Sequence, residues 1–265
     1  MKRSPLFIQS FDKAVRVMGA FSQSEQFLSL TEIVALTGLG KSQAQRCTHT
    51  LLATGFLEKH PTTGRFCLGK KCLDFGFHFL RSHPLVSVAT PILLQLRRDC
   101  GERTNLSLFD GPTLVYVIRL HGKREYPQFS TLIGRRIATF CSAGGRAMLA
   151  TLPNSEVREI LAASDLAPLT PDTITEPDRI MEEIEKTRIR GYGFVVNESA
   201  PSEVTVAAAV RDAGGRAIAA VHIAGSLTKW SPAQYEEKFS PYVLETARSL
   251  SQANSRLVRK AGDCV

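Results

Sequence analysis

The chain has 265 residues, 43% of them hydrophobic and 22% charged, so it can bury ordinary cores, and its length favours two domains. No segment reaches the roughly 18 consecutive apolar residues of a membrane span, and the N-terminal apolar stretch is too short for a secretory signal. The six cysteines lie singly, without a CxxC pair or a metal-ligand spacing, as in reduced cytosolic proteins. We therefore expect a cytoplasmic protein without a membrane partner, metal or cofactor.

The positive charge is concentrated at one end of the chain. Residues 1–83 contain 11 Lys and Arg against 5 Asp and Glu, a net charge of +6 out of the total of +8. This excess indicates an anionic partner for the first third of the chain, although an ordinary basic surface has the same composition.

Two helices are predicted near the N-terminus. Residues 9–21 carry apolar side chains at spacings of three and four, which predicts an amphipathic helix packed through one apolar face. That face comprises Phe11, Val15, Met18 and Phe21. Ser29 and Glu32 have the spacing of a capping box, so a short second helix should begin there and end at Gly38.

A third helix should begin after Gly40 and expose one polar side. Arg pairs with guanine and Gln with adenine in the major groove, while residues at the helix start suit phosphates. This side of the helix comprises Lys41, Ser42, Gln43, Gln45, Arg46 and His49. Residues 56–59 and 65–68 then predict a hairpin, completing the order of a winged helix-turn-helix, with Arg65 as a further DNA contact. If the third helix is considered without its neighbours, the alternative is that its polar side is only an ordinary solvated helix surface.

The rest of the chain predicts an α+β domain behind a connecting helix. Residues 68–80 form an apolar, aromatic helix suited to packing against a partner. The elements predicted beyond Pro84 are helices at 86–100, 142–152, 154–162, 177–190 and 232–259, and strands at 104–109, 113–120, 193–197, 204–211 and 217–223. Antiparallel strands flanked by helices exclude a Rossmann unit. We expect a DNA-binding domain at 1–68, a linker helix at 69–83 and a second domain at 84–265.

Several segments together resemble the IclR-type bacterial transcriptional regulators. They are IQSFDKAVRVM, SLTEIVALTGLGKSQAQRCTHTLLATGFLEK, GRFCLG, FCSAGGRAMLA, FVVNE and VAAAVRDAGGRAIAAVHIAG, in the order and spacing of that family. The resemblance implies a winged helix-turn-helix, a linker helix and a GAF-like effector-binding domain. It also implies a homodimer or a dimer of dimers that binds operator DNA and a small-molecule effector. At residues 202 and 203 the chain has Ser and Glu where the family pattern has a glycine.

The resemblance also implies an effector pocket. Its residues would be Tyr126, Phe129, Ile137, Ala143, Gly144, Val195, Asn197, Thr205, His222 and Ala224. His222 interrupts an apolar strand, and a buried imidazole needs a partner, which an effector carboxylate would supply. A core histidine with a protein partner is the alternative. With two aromatic side chains nearby, we expect an aromatic or similarly flat carboxylate.

Two other functions fit part of the sequence. An enzyme would use Cys141 or Ser142 as nucleophile and His222 as base, with Glu198 or Glu203 as the orienting acid, but no G-x-S-x-G motif supports it. Alternatively, the second domain only dimerises. We expect no enzyme, and a transcriptional regulator whose DNA binding is controlled by a carboxylate effector.

Overall fold

The computed structural model of the protein describes residues 4–22, 26–122 and 133–262. Tyr126 and Phe129 of the expected pocket lie outside these residues. The chain divides into two compact units, Met1–Phe79 and Leu80–Val265, and the division falls inside the expected linker helix. Across the described ranges, no helix is both long and apolar enough to cross a membrane.

The first unit has the predicted order of a winged helix-turn-helix. It contains α1 (Gln9–Gly19), a 3-10 turn (Ala20–Ser22), α2 (Leu30–Thr37), α3 (Lys41–Ala53), β1 (Leu57–Lys59), β2 (Phe66–Leu68) and the first part of α4 (Cys72–Ser82). The two strands are antiparallel, with Glu58 opposite Cys67. Leu28 bonds to Phe66 through both backbone groups, so the segment before α2 is fixed to the wing.

The predicted capping box begins α2. Ser29 Oγ accepts a hydrogen bond from the Glu32 N–H at 3.3 Å, and Glu32 Oε2 accepts one from the Ser29 N–H at 2.6 Å. Bonds from Ser29 and then from Arg65 lower the pKa of Glu32 to about 2. Gly38 ends the helix at a φ of 64°. This left-handed backbone conformation costs glycine less free energy than any other residue.

The predicted buried face of α1 is partly wrong. Met18 and Phe21 pack against the core of the first unit, but Phe11 is 70% exposed and Val15 is also exposed. The helix instead buries Val17 fully in this core. Phe11 and Val15 therefore form a second apolar side, which faces away from the core. Spacing alone could not choose between the two sides because both follow the helical period.

The second unit is an α+β domain, as predicted. Its elements are α5 (Pro84–Cys100), β3 (Arg103–Asp110), β4 (Thr113–Leu120), β5 (Arg136–Ala138), α6 (Ala143–Leu149), α7 (Asn154–Ala162), α8 (Pro177–Arg190), β6 (Gly193–Val196), β7 (Glu203–Arg211), β8 (Ala217–Ser226) and α9 (Pro232–Gly262). The six strands form one antiparallel sheet in the order β5-β4-β3-β8-β7-β6. The sequence did not predict β5, which has only three residues.

The two faces of this sheet differ in chemistry. One face packs against α5 and α9 through aliphatic side chains such as Leu106, Val206 and Val221. Because side chains alternate along a strand, the residues between them point to the other face, which α6 partly covers. That second face carries the polar groups described below.

Candidate functional site

The polar side of α3 lies on the surface of the first unit. Lys41, Ser42, Gln43, Gln45, Arg46 and His49 are all exposed. Ala44, Thr48 and Leu51 on the opposite side are buried, so packing does not use the polar side. Gln43 and Arg46 also line a groove of about 680 Å³ between α1 and α3.

Arg65 of the wing is engaged within the protein. Its Nη2 lies 2.6 Å from both carboxylate oxygens of Glu32, which joins the wing to the start of α2. Its side chain remains 36% exposed. A DNA contact by Arg65 would therefore compete with, or share, this ion pair.

Eight side chains on the second face of the sheet form what we call the polar face. They are Arg103, Asn105 and Ser107 of β3, Tyr116 and Arg119 of β4, Glu203 and Thr205 of β7, and His222 of β8. The register places Arg119, Asn105 and His222 side by side on three neighbouring strands. All of them except Arg103, Arg119 and Glu203 are buried, and a buried polar group needs a partner.

His222 has a protein partner. Its Nε2 lies 2.8 Å from Ser107 Oγ, and its ring packs edge-on to Tyr116 with centroids 5.5 Å apart. Burial first, and then the charges of Arg103 and Arg119, lower the pKa of His222 to about 3, so the imidazole is neutral at physiological pH. The protein partner that the sequence analysis gave as the alternative to an effector carboxylate is therefore present, and it is Ser107.

Gly144 makes room for the imidazole. A Cβ at this position would lie 2.0 Å from His222 Cε1, so any larger residue would displace the ring or the helix. The structure thus brings Ala143 and Gly144 at the start of α6 directly against the polar face. In the sequence, only the family resemblance indicated that Ala143 and Gly144 lie near His222.

Two arginines give the polar face a positive potential. Arg103 forms an ion pair with Glu203, whose carboxylate also lies 3.2 Å from Thr205 Oγ1. The Arg119 guanidinium lies 5.6 Å from the centre of the Tyr116 ring, within the range of a cation–π contact. With His222 neutral, the charged groups of the polar face are two guanidiniums and one carboxylate.

A buried ion pair fixes α6 in place. Arg146 is 1% exposed, and its Nη1 and Nη2 donate to the two Glu198 oxygens at 2.7 and 2.6 Å. Its Nε donates to the Phe140 carbonyl at 2.9 Å, and Glu198 Oε2 accepts a bond from the Ile174 N–H at 3.1 Å. These bonds join α6 to the turn after β6 and to the loop before α8.

The groups of the enzyme alternative are not assembled. Burial raises the pKa of the Cys141 thiol to about 12, so it is not a thiolate. Ser142 caps α6, accepting from the Gly145 N–H at 3.2 Å and donating to the Ala138 carbonyl. Within the described chain, the partner of His222 is Ser107 rather than either candidate nucleophile.

The other pocket residues divide into three groups. Val195, Thr205 and Ala224 share the second face of the sheet with His222, since Thr205 lies opposite both Val195 and Ala224. Ile137 packs beside Tyr116 at the edge of that face. Asn197 lies in the turn after β6 at a φ of 61°, and its Oδ1 accepts a bond from the Ser202 N–H at 2.8 Å.

The turn after β6 also explains a departure from the family pattern. Ser202, where the pattern has a glycine, has a φ of 58°, a conformation that glycine adopts without cost. The bond from its N–H to Asn197 and the bond from Leu227 N–H to its carbonyl hold the residue there.

Sequence reasoning missed most of the polar face. Arg103, Asn105 and Ser107 alternate with Thr104, Leu106 and Leu108, and this period of two was a readable signal of a strand with one polar side. The cross-strand position of Arg119 and the ion pair between Arg103 and Glu203 depend on register, which the sequence does not state.

A winged helix-turn-helix followed by a domain with a partly covered polar face defines a DNA-binding regulator with a sensor domain. Comparison with known proteins specifies it further. The IclR helix-turn-helix domain matches residues 10–61, and the bacterial transcriptional regulator IclR C-terminal domain matches residues 77–252. The chain therefore belongs to the IclR family of bacterial transcriptional regulators, as the sequence resemblance indicated.

Individual relatives match over nearly the whole chain. The Pca regulon regulatory protein of Pseudomonas putida is 26% identical over 246 residues, covering 93% of this chain and 84% of that protein. The crystal structure of Thermotoga maritima IclR has a TM-score of 0.69 at 28% identity, covering 94% of this chain and 100% of that one. An IclR homologue from Microbacterium hydrocarbonoxydans, complexed with 4-hydroxybenzoate, shares the fold, with a TM-score of 0.73 at 20% identity and coverage of 93% and 99%.

The buried ion pair gives a stability prediction. Glu198→Ala should lower the free energy of unfolding by about 3–5 kcal/mol, because it leaves the buried Arg146 guanidinium without its hydrogen-bonded carboxylate and with only Glu183 Oε2 at 4.0 Å. The measurement is urea unfolding followed by circular dichroism. Glu156→Ala is the matched control: it removes the partly exposed pair with Arg216 and should cost less than about 1 kcal/mol. Equal losses in the two variants would contradict a structural role for the buried pair.

Proposed function

We propose that this regulator reads operator DNA with α3 and that a small carboxylate on the polar face of the second unit controls this binding. The observation that carries the DNA assignment is the division of α3. Its six polar side chains are exposed, while Ala44, Thr48 and Leu51 form its packed side. A recognition helix needs this division because base edges are read by side chains that packing leaves unused.

Within α3 the residue types suggest separate roles. Arg46 and Gln43 are long enough to reach base edges, with guanine and adenine as their usual partners. Lys41 and Ser42 lie at the helix start, where the N–H groups and the helix dipole favour phosphate. The net charge of +6 on residues 1–83 supports a phosphate contribution to affinity. Gln45, His49 and, in the wing, Arg65 complete the proposed contact set.

The proposed effector site is the polar face, together with the start of α6. Its excess of positive charge supports an anionic ligand, and the Microbacterium homologue holds the carboxylate 4-hydroxybenzoate. Thr205, Val195, Ala224 and His222 would contact the ligand from the sheet. Ala143, Gly144 and Ile137 would contact it from α6 and β5, and Asn197, Tyr126 and Phe129 remain proposed on the family resemblance.

We place the regulator in the cytoplasm, as its family suggests, and exposed apolar side chains in the first unit support a homodimer as the binding species. On α4, Leu73 is 74% exposed, and Phe75, Phe77 and Phe79 are also exposed. Phe11 on α1 is exposed as well. Such a surface is typical of an interface with a second copy, and a two-fold dimer would suit a palindromic operator. We assign α4 the role of connecting effector binding to the spacing of the two recognition helices.

Arg46→Ala tests the DNA assignment. A lost base contact should cost about 1–3 kcal/mol, so affinity should fall by roughly 5- to 150-fold without loss of fold. The probe is a duplex selected by the wild-type protein from a randomised pool, titrated by fluorescence anisotropy. Arg98→Ala on α5, also an exposed arginine, is the matched control and should bind like wild type. Wild-type affinity for Arg46→Ala would remove α3 from the interface.

Leu73→Asp tests the dimer. A charge at this exposed position should leave the fold intact but raise the dimer dissociation constant at least about tenfold, because an interface core excludes unpaired charge. Sedimentation equilibrium gives the measurement. Ile189→Asp on α8, at a residue that is 80% exposed, is the control and should dimerise like wild type. Identical dimerisation of both variants would place the interface elsewhere.

A further inference from the structure

We propose that Glu32 restrains Arg65 and thereby sets how strongly the regulator prefers its operator to other DNA. Their ion pair keeps the wing arginine from binding phosphates of an arbitrary duplex, and gives it up where the operator holds a phosphate against the wing. This inference rests on the proposed reading of operator DNA by α3. It gives a specificity role to a residue that the sequence analysis placed only in the capping box.

The two side chains meet on the surface of the first unit. Arg65 Nη2 lies 2.6 Å from both carboxylate oxygens of Glu32, and the two side chains remain 36% and 43% exposed. Bonds from Ser29 and then from Arg65 lower the pKa of Glu32 to about 2, so the carboxylate is charged at physiological pH. The pair is therefore ionic and open to solvent, and a DNA phosphate can compete for the guanidinium.

The wing does not depend on this ion pair for its position. Two backbone bonds between Leu28 and Phe66, of 2.9 and 2.7 Å, already fix it to the segment before α2. The side chains of Leu28 and Phe66 are also buried in the core of the first unit. An ion pair as exposed as this one contributes little to folding stability. Its main effect is therefore on the charge that the surface presents.

The pair lies where a helix-turn-helix meets the DNA backbone. The helix that precedes a recognition helix crosses the backbone, and α2 precedes α3. Glu32 is in the first turn of α2. Arginine binds carboxylates and phosphates with the same planar donor geometry, so Arg65 can exchange one for the other. The exchange has a cost, because it leaves Glu32 unpaired beside the phosphates.

This cost affects arbitrary DNA more than the operator. On an arbitrary duplex the affinity comes almost entirely from phosphate contacts, so the restraint of one arginine in each subunit weakens it directly. On the operator, base contacts by α3 fix the register of the protein on the duplex. A phosphate is then held beside the wing and takes Arg65 from Glu32. The carboxylate therefore increases the ratio of operator affinity to non-specific affinity.

Glu32→Gln tests the inference and keeps the fold, because glutamine also completes a capping box with Ser29. The full-length protein is titrated by fluorescence anisotropy against a random-sequence duplex and the selected operator duplex over a series of salt concentrations. At about 0.1 M salt, affinity for the random duplex should rise roughly 3- to 10-fold, and its logarithmic salt slope should steepen by about 0.9 for each arginine that gains a phosphate. Operator affinity should rise less, so the preference for the operator should fall at least about twofold.

Two further variants separate the ion pair from a general change of charge. Glu58→Gln removes the same charge from β1 of the wing, at an exposed residue whose carboxylate accepts a bond from the Lys70 N–H at 3.4 Å. It should keep the wild-type ratio of operator affinity to random-duplex affinity. Arg65→Gln removes the released cation, so adding Glu32→Gln to it should change random-duplex affinity by less than about twofold.

Several results would overturn the inference. Wild-type affinity of Glu32→Gln for the random duplex would show that Arg65 is not restrained. An equal loss of operator preference in Glu58→Gln would reduce the effect to net charge. Weaker operator binding by Glu32→Gln together with a lower melting temperature would make the pair a support of the wing. If wild type itself does not prefer the operator, the reading of DNA by α3 fails as well, and the Arg46→Ala titration tests that reading separately.

Discussion

The requirement that buried polar groups have partners organises the second unit. Helices α5 and α9 cover one face of its sheet, which is apolar, and α6 partly covers the other face, which carries polar groups. On the other face, polar side chains such as Arg103 and His222 need hydrogen-bond or charge partners. Arg103 forms an ion pair with Glu203, and His222 forms a hydrogen bond with Ser107. Asn105 Oδ1, Thr104 Oγ1 and Tyr235 Oη are buried atoms of this unit that lack a hydrogen-bond partner in the described chain.

The same requirement ties the polar face to its cover. His222 fills the space that Gly144 leaves open, and Arg146 fixes α6 through a buried bond to Glu198. A ligand that shifts the imidazole or the sheet edge therefore acts on α6 as well, since packed interiors transmit displacement. Control of DNA binding additionally requires that the ligand prefer one arrangement of the regulator over another, because equal affinity for both would shift nothing.

Local sequence signals predicted most helices and strands. The candidate site depends on contacts between residues that are far apart in the sequence, and these could not be predicted. The capping box at Ser29 and the glycine stop at Gly38 are contained in a few neighbouring residues. The side of α1 that is buried depends on contacts with α3, so Phe11 was wrongly expected inside. The partner of His222 is 115 residues away on β3, and only the order of strands in the sheet brings the two together.

Effector control requires that effector and operator bind the same regulator and that each changes the affinity for the other. Its most direct measurement is the dissociation constant of the tightest-binding carboxylate, determined by calorimetry with and without saturating operator duplex, together with the operator constant with and without that carboxylate. Thermodynamic linkage requires both constants to change by the same factor, and we expect a factor of about 5–150. Unchanged constants in both directions would show that the polar face binds its ligand without controlling the DNA-binding domain.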